Sequence, residues 1–476
     1  MTIQERESKE HIKEIAPIIS QAYQLGKQRQ YDEAFYKILP YLKLNEIPQY
    51  FYQPAGWTIY RFVKTNIAQL TPIQIKTTFD YYFDFCEKQP NLLHSYIMVL
   101  ALTYHKTHQM DFSFTEFCQK WGLDNFMEED FKPTKGITPD GKEILFQSLV
   151  VKAATALYKE LKSHHTDDSV HVFLPFFKTV KEQCPEYEFT PLYIANLHAW
   201  MGESHKAQII FEDMLRKNPK WYIWQALGNI VNDKLKMSCY CKALTMVDKE
   251  DYAGELHITL ASLLVGSDKP HAAAELAKYV STYKHNGWKL RAEAYELEKT
   301  LTGVAAATDQ SSFYEQNTYL AEEAVYQDFP QKEFVYSGDR QNKKGKTIAW
   351  FNMIQSSKSE RQKTISIYMP HSALPKNASI GDIFLCRYQI NNHRPTILTI
   401  HNTKRHLNTD TIQEPKTIEG IGIIRKREEQ PYAFINKYFV PPKICQSAQL
   451  KNNQQVKFLA QQQPDGRYRV VKIFLS

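Results

Sequence analysis

The feature that most limits how this chain can fold is a change of hydrophobic period near residue 332. Up to about residue 302, apolar residues recur three and four positions apart, as on amphipathic helices. Beyond residue 332 they fall in short alternating runs between turn formers, as in strands. A chain that changes period once is expected to build an all-α part followed by an all-β part. Its 476 residues leave room for about three domains.

The clearest helical unit runs from Pro191 to Pro219. Ala195, Ala199 and Trp200 mark one helix, and Met201 to Ser204 make a turn. Ala207, Ile210, Phe211, Met214 and Leu215 then form a single apolar stripe, closed by Asn218-Pro219. Small Ala207 lets two helices approach, and Phe211 fills the space between them. With Pro219 closing a repeat of about 34 residues, Ala207 and Phe211 fall on the small and aromatic positions of the tetratricopeptide pattern. A second unit starts at Trp221 with Leu227-Gly228. A third runs from Leu256 to His285 with the stripe Ala273, Leu276, Ala277 and Val280. At the N-terminus, Tyr31 to Leu42 repeats the pattern, with Pro40 expected to kink or end its helix. Residues 1–302 are therefore expected to form an irregular tetratricopeptide-like solenoid, a non-repeating helical domain being the alternative.

An insertion or ordered loop is expected at about 110–141. There Phe112, Phe114, Phe117, Trp121, Phe126 and Phe131 precede a run of turn formers. The rings either pack on the solenoid or line a peptide groove. Small polar residues at 303–312 read as a linker.

Two strand sets follow. The first barrel, with a leading helix, is expected at 313–405. Its strands centre on Phe334–Tyr336, Lys346–Ile354, Thr364–Tyr368, Asp382–Tyr388 and Pro395–Ile400. A linker at 406–417 leads to a second barrel at 418–476. Its strands are Gly420–Arg427, Tyr432–Ile435, Tyr438–Val440, Gln455–Leu459 and Arg467–Phe474, with Gln463 to Gly466 as a turn. About five strands in some seventy residues is the size of an oligonucleotide/oligosaccharide-binding (OB) fold.

Alternate strand residues share a face, so Tyr432 and Phe434 project together, and Phe439 on the next strand can join them. Exposed rings on a sheet stack unpaired bases while Lys and Arg follow phosphates. Arg425, Lys426, Arg427, Lys437, Lys443 and Lys472 supply charge nearby. In the first barrel the corresponding candidates are Trp350 and Tyr368. For all these rings the competing reading is simple core packing. Charge follows the same division. Residues 331–476 carry 24 Lys and Arg against 10 Asp and Glu, whereas the preceding 330 carry 35 against 42. The basic end suits an anionic partner.

The order of the second strand set resembles a cold-shock/S1-type barrel. Tyr432-Ala-Phe-Ile435 stands where such domains carry their first nucleic-acid motif, and Tyr438-Phe-Val-Pro441 where they carry the second. Ala433 replaces the family's glycine, and Pro441 its histidine. Helical repeats followed by paired barrels are similar to the helical-repeat proteins with tandem S1/cold-shock-like domains of bacterial TOTE conflict systems. That resemblance implies a cytoplasmic bacterial protein acting beside primase-polymerase, helicase and nuclease components.

No catalytic, metal or cofactor site is expected. Gly345-Lys-Thr347 lacks the glycine a phosphate loop needs at position 340, where Arg340 stands. Cys239 and Cys241 lack a second ligand pair and read as buried thiols. His164, His165 and His171 read as part of a solvated loop between helices. Seven dispersed cysteines suit a reducing compartment. The charged first ten residues argue against a secretory signal, and no apolar run is long enough to span a membrane. The expectation is a multidomain α + β, non-enzymatic adaptor. Single-stranded RNA or DNA would bind the barrels, and a protein partner the helical array. A pure protein scaffold is the alternative.

Overall fold

The computed structural model describes residues 3–474 apart from 87, 109–110, 139, 342–345, 355–364, 376, 392–393, 408–416, 428–429 and 463–466. The turn expected at 463–466 and most of the linker expected at 406–417 lie outside the described residues. The chain divides into two compact units, Met1–Asn317 and Thr318–Ser476.

The first unit is a succession of helices from Ile3–Lys27 to Gln310–Gln316. The unit expected at Pro191 to Pro219 forms helices Thr190–Trp200 and Ser204–Lys217. Ala207, Phe211 and Leu215 of the second helix are completely buried, as a stripe at this spacing requires. Helix Lys269–His285 starts at Asp268, whose side chain accepts from the His271 N–H, with Pro270 in the first turn. Pro40 stands inside helix Tyr31–Lys43 instead of breaking it, and the helix ends within one turn of it. Cys239 and Cys241 are both buried.

Residues 110–141 hold helix Phe114–Trp121 and strand β1, Thr134–Ile137, which pairs antiparallel with β2, Glu143–Phe146. Phe112, Phe114, Phe117, Trp121 and Phe126 all lie in the main hydrophobic core. These five rings therefore pack, which removes them from a surface peptide groove.

Near the end of this unit a buried histidine bridges an interior carboxylate and an exposed one. His257 sits between two carboxylates, Nδ1 at 2.5 Å from Glu275 Oε2 and Nε2 at 2.7 Å from Glu250 Oε1. The Tyr314 hydroxyl donates to the other Glu275 oxygen at 2.5 Å. His257 and Glu275 are at most 1% exposed. Tyr314 belongs to helix Gln310–Gln316, so the cluster ties that helix to Gly254–Leu264 and Lys269–His285. Within the segment read as a linker, the Ala307 N–H donates to Pro270 O at 2.9 Å.

The second unit carries two sets of five strands. In the first, β3 is Gln331–Gln341, β4 Thr347–Met353, β5 Ser366–Pro370, β6 Asp382–Asn391 and β7 Arg394–His406. They pair in the order β5-β4-β3-β6-β7. In the second, β8 is Thr417–Arg425, β9 Ala433–Ile435, β10 Tyr438–Val440, β11 Gln455–Gln462 and β12 Tyr468–Phe474. These close into a barrel in the order β10-β12-β11-β8-β9. Numbered from its own first strand, each set runs third-second-first-fourth-fifth. In the barrel a parallel pair between the third and fifth strands closes the ring. The corresponding edges of the first set, β5 and β7, come together without a hydrogen-bonded ladder among the described residues.

Strand alternation fills each interior. Phe334, Tyr336, Ala349, Phe351, Ile367, Phe384 and Cys386 form the core of the first set. Ile424, Ala433, Ile435, Val440, Phe458 and Val470 form that of the barrel. Gly420 and Gly422 also face inward, because a Cβ on Gly422 would stand 2.4 Å from Ile435 and one on Gly420 3.2 Å from Phe458. Those glycines make room for the larger side chains opposite. Helix Pro442–Ser447, absent from the sequence expectation, follows β10 and adds Ile444 and Cys445 to the barrel core.

Candidate nucleic-acid interface

The barrel register aligns four side chains across four neighbouring strands. Arg425 of β8 stands opposite Phe434 of β9, Phe434 opposite Phe439 of β10, and Phe439 opposite Arg469 of β12. Directly opposed residues project to the same side of a sheet. The buried partners Ile424, Ala433, Ile435, Val440 and Val470 occupy the other side, so this row lies on the outside. Phe434 is 40% exposed.

Tyr432, just before β9, joins the two phenylalanines. The three rings are mutual neighbours, with centroids 5.6 to 5.8 Å apart at tilted or edge-to-face angles. The Arg469 guanidinium lies 5.9 Å from the Phe439 centroid. The result is an apolar patch flanked by a cation at each end. Such a surface can stack a base and neutralise its phosphates at once.

The expected residues fall differently around this patch. Tyr432, Phe434, Phe439 and Arg425 are brought together. Arg427 and Lys437 are exposed, and the Lys437 ammonium lies 5.8 Å from the centroid of Tyr438, a ring that packs against the barrel core. Lys443 belongs to helix Pro442–Ser447, with its side chain outside the described residues. Ala433 is buried and points into the barrel. Pro441 precedes the short helix as its extended N-cap. Neither departure from the cold-shock pattern stands in the row of rings.

Arg469 was not among the expected residues. Its place depends on the parallel β10–β12 pair, which joins segments about thirty residues apart and leaves no local signal. The alternation Arg467-Tyr468-Arg469 was the only hint.

The first set has its own pair of rings, one half-buried and one exposed. Trp350 of β4 stands opposite Tyr368 of β5, with centroids 6.2 Å apart and planes within 10°. The Arg340 guanidinium covers Trp350 at 4.2 Å. Arg340 lies past the strand expected at Phe334–Tyr336, but β3 passes through an irregularity after Tyr336 and continues to Gln341. Burial draws the Arg340 pKa below the usual arginine value, and the guanidinium stays charged. Among the described residues no carboxylate is paired with it.

The outer face of β6 and β7 is occupied. Helix Tyr319–Tyr326 lies on it through Glu322 to His401 at 2.6 Å and Glu323 to Arg387 at 2.8 and 2.9 Å. Arg387 also donates to the carbonyls of Gln327 and Phe329, just past that helix, where a cation suits the helix dipole.

Rings and cations on the outer face of a small closed barrel are the features with which OB-type barrels take up single strands. Residues 418–467, which span β8 to β11, match the family model described as S1/CSD-like domain 2 of the TOTE conflict systems. Residues 188–321 match a second, described as Domain of unknown function (DUF7017). No curated protein matches the chain. Among the described residues no helix is long and apolar enough to cross a membrane.

Proposed function

We propose that this chain is a non-enzymatic adaptor. Its C-terminal barrel holds single-stranded RNA or DNA, and its helical unit, read as tetratricopeptide-like, holds a protein partner. The observation that carries the reading is the registered row Arg425–Phe434–Phe439–Arg469 on the outer face. The description of the model matched by residues 418–467 supports a place in a conflict system. The OB-fold reading of both strand sets rests on their shared strand order.

Cation contacts make the binding salt-dependent, because each neutralised phosphate releases counterions. If Arg425, Arg469 and one neighbouring cation engage phosphates, log affinity should fall against log salt with a slope of about −2. Fluorescence anisotropy with labelled oligo-dT and oligo-rU measures it. Indifference to both oligonucleotides at low salt would sink the nucleic-acid half of the proposal. The scaffold reading would then take over, and it has a feature of its own. Ile421 and Ile423 project from the outer face of β8, 64% and 51% exposed, as apolar surface of the kind protein partners cover.

A further inference from the structure

The first strand set repeats the arrangement of the barrel beyond its order of strands. In the barrel, the first, second and third strands present Arg425, Phe434 and Phe439 outward. In the first set, the same three strands present Arg340, Trp350 and Tyr368. Arg340 pairs in register with Ile348, and Ile348 shares its face with Trp350 two residues on. Buried Ala349 and Phe351 point the other way.

The two surfaces differ in a way that matters for ligand geometry. The barrel rings meet edge-to-face or tilted, whereas Trp350 and Tyr368 are nearly parallel. Trp350 is also held in place. Its indole N–H donates to Asn352 Oδ1 at 3.2 Å. Asn352 is fixed in turn by donating to Ser337 Oγ at 2.9 Å and accepting from Ser366 Oγ at 2.8 Å. Tyr368 is 42% exposed. A guanidinium stacked on an indole keeps its N–H edge free for a phosphate oxygen.

We infer that β3 to β5 form a second base site, in which an unpaired base of single-stranded nucleic acid stacks on the Trp350–Tyr368 pair while Arg340 meets the adjacent phosphate. The inference rests on the proposed nucleic-acid function but concerns a separate surface. Helix Tyr319–Tyr326 occupies β6 and β7, so the ligand is confined to the remaining three strands.

The test uses the full chain and a labelled oligo-dT of about 12 nucleotides, intact or carrying abasic sites. Tyr368→Ala and Trp350→Ala should each weaken binding of the intact strand about 5- to 150-fold and change the abasic strand little. Arg340→Ala should weaken both. Trp350→Phe keeps a ring and should retain most of the affinity. Its behaviour, with that of the exposed Tyr368, reads the site even if Trp350→Ala fails to fold. Unchanged affinity in Tyr368→Ala and Trp350→Phe/Tyr368→Ala, with Phe434→Ala weakened, overturns this site and leaves the barrel reading standing. The converse pattern keeps this site and removes the barrel's. Wild-type affinity in all of them removes both.

Discussion

Replacing Phe434 and Phe439 together by alanine is expected to weaken single-stranded oligonucleotide binding by at least about 30-fold. Each ring that stacks a base contributes about 1–3 kcal/mol, and two at the lower figure give that factor. The rings touch, with centroids 5.7 Å apart, so the double substitution need not equal the sum of the singles. Both project away from the core formed by Ile435, Val440 and Phe458. The barrel should therefore keep its fold, which a circular-dichroism melt would check. Arg469→Ala should weaken binding more evenly across sequences and reduce the salt slope by about one. If the double variant binds like the wild type while remaining folded, the rings are packing residues and the stacking argument fails.

His257→Ala is expected to cost about 3–5 kcal/mol of stability, because it strands Glu275 in the interior without its charge partner. Glu275 is completely buried. Burial alone lowers the His257 pKa, but the hydrogen bonds and charges of Glu250 and Glu275 outweigh it and raise the value above the usual histidine range. A folded pKa above the unfolded one means that the imidazolium stabilises the fold at low pH. That contribution is complete below about pH 6.5 and fades as pH rises through the folded value. Denaturant unfolding of the full chain, followed by its helical signal at about pH 6 and about pH 9, should show a weaker helical unit at the higher pH. The difference should shrink in His257→Ala. Equal stability of wild type and variant at low pH would contradict the ion-pair account.

The sequence made the strand-bearing end legible because its signals are local. Alternation along β8 to β12 separates Ile424, Ile435 and Val440 from Arg425, Phe434 and Phe439, and the structure places the two groups on opposite sides. In the helical unit, the Ala207–Phe211–Leu215 stripe gave the helix and its buried face by the same means. What stayed hidden depends on distant pairing. Arg469 enters the interface only through a parallel partner, and Arg340 only because β3 runs on past the strand expected at Phe334–Tyr336. Nothing along their own segments singles out Glu250, His257 and Glu275, and Tyr314 comes from a stretch read as belonging to the next domain. Only tertiary packing makes them one cluster. Helix Pro442–Ser447 was not expected, although Pro442 sits in its permitted first turn.

Ultraviolet crosslinking of a thiouridine-substituted oligonucleotide to the full chain, read by mass spectrometry of the peptides, tests the central claim most directly. The account predicts crosslinks on the segment from Tyr432 to Phe439, lost in the Phe434→Ala/Phe439→Ala variant. Crosslinks confined to residues before 318, with none on the barrel, would contradict it.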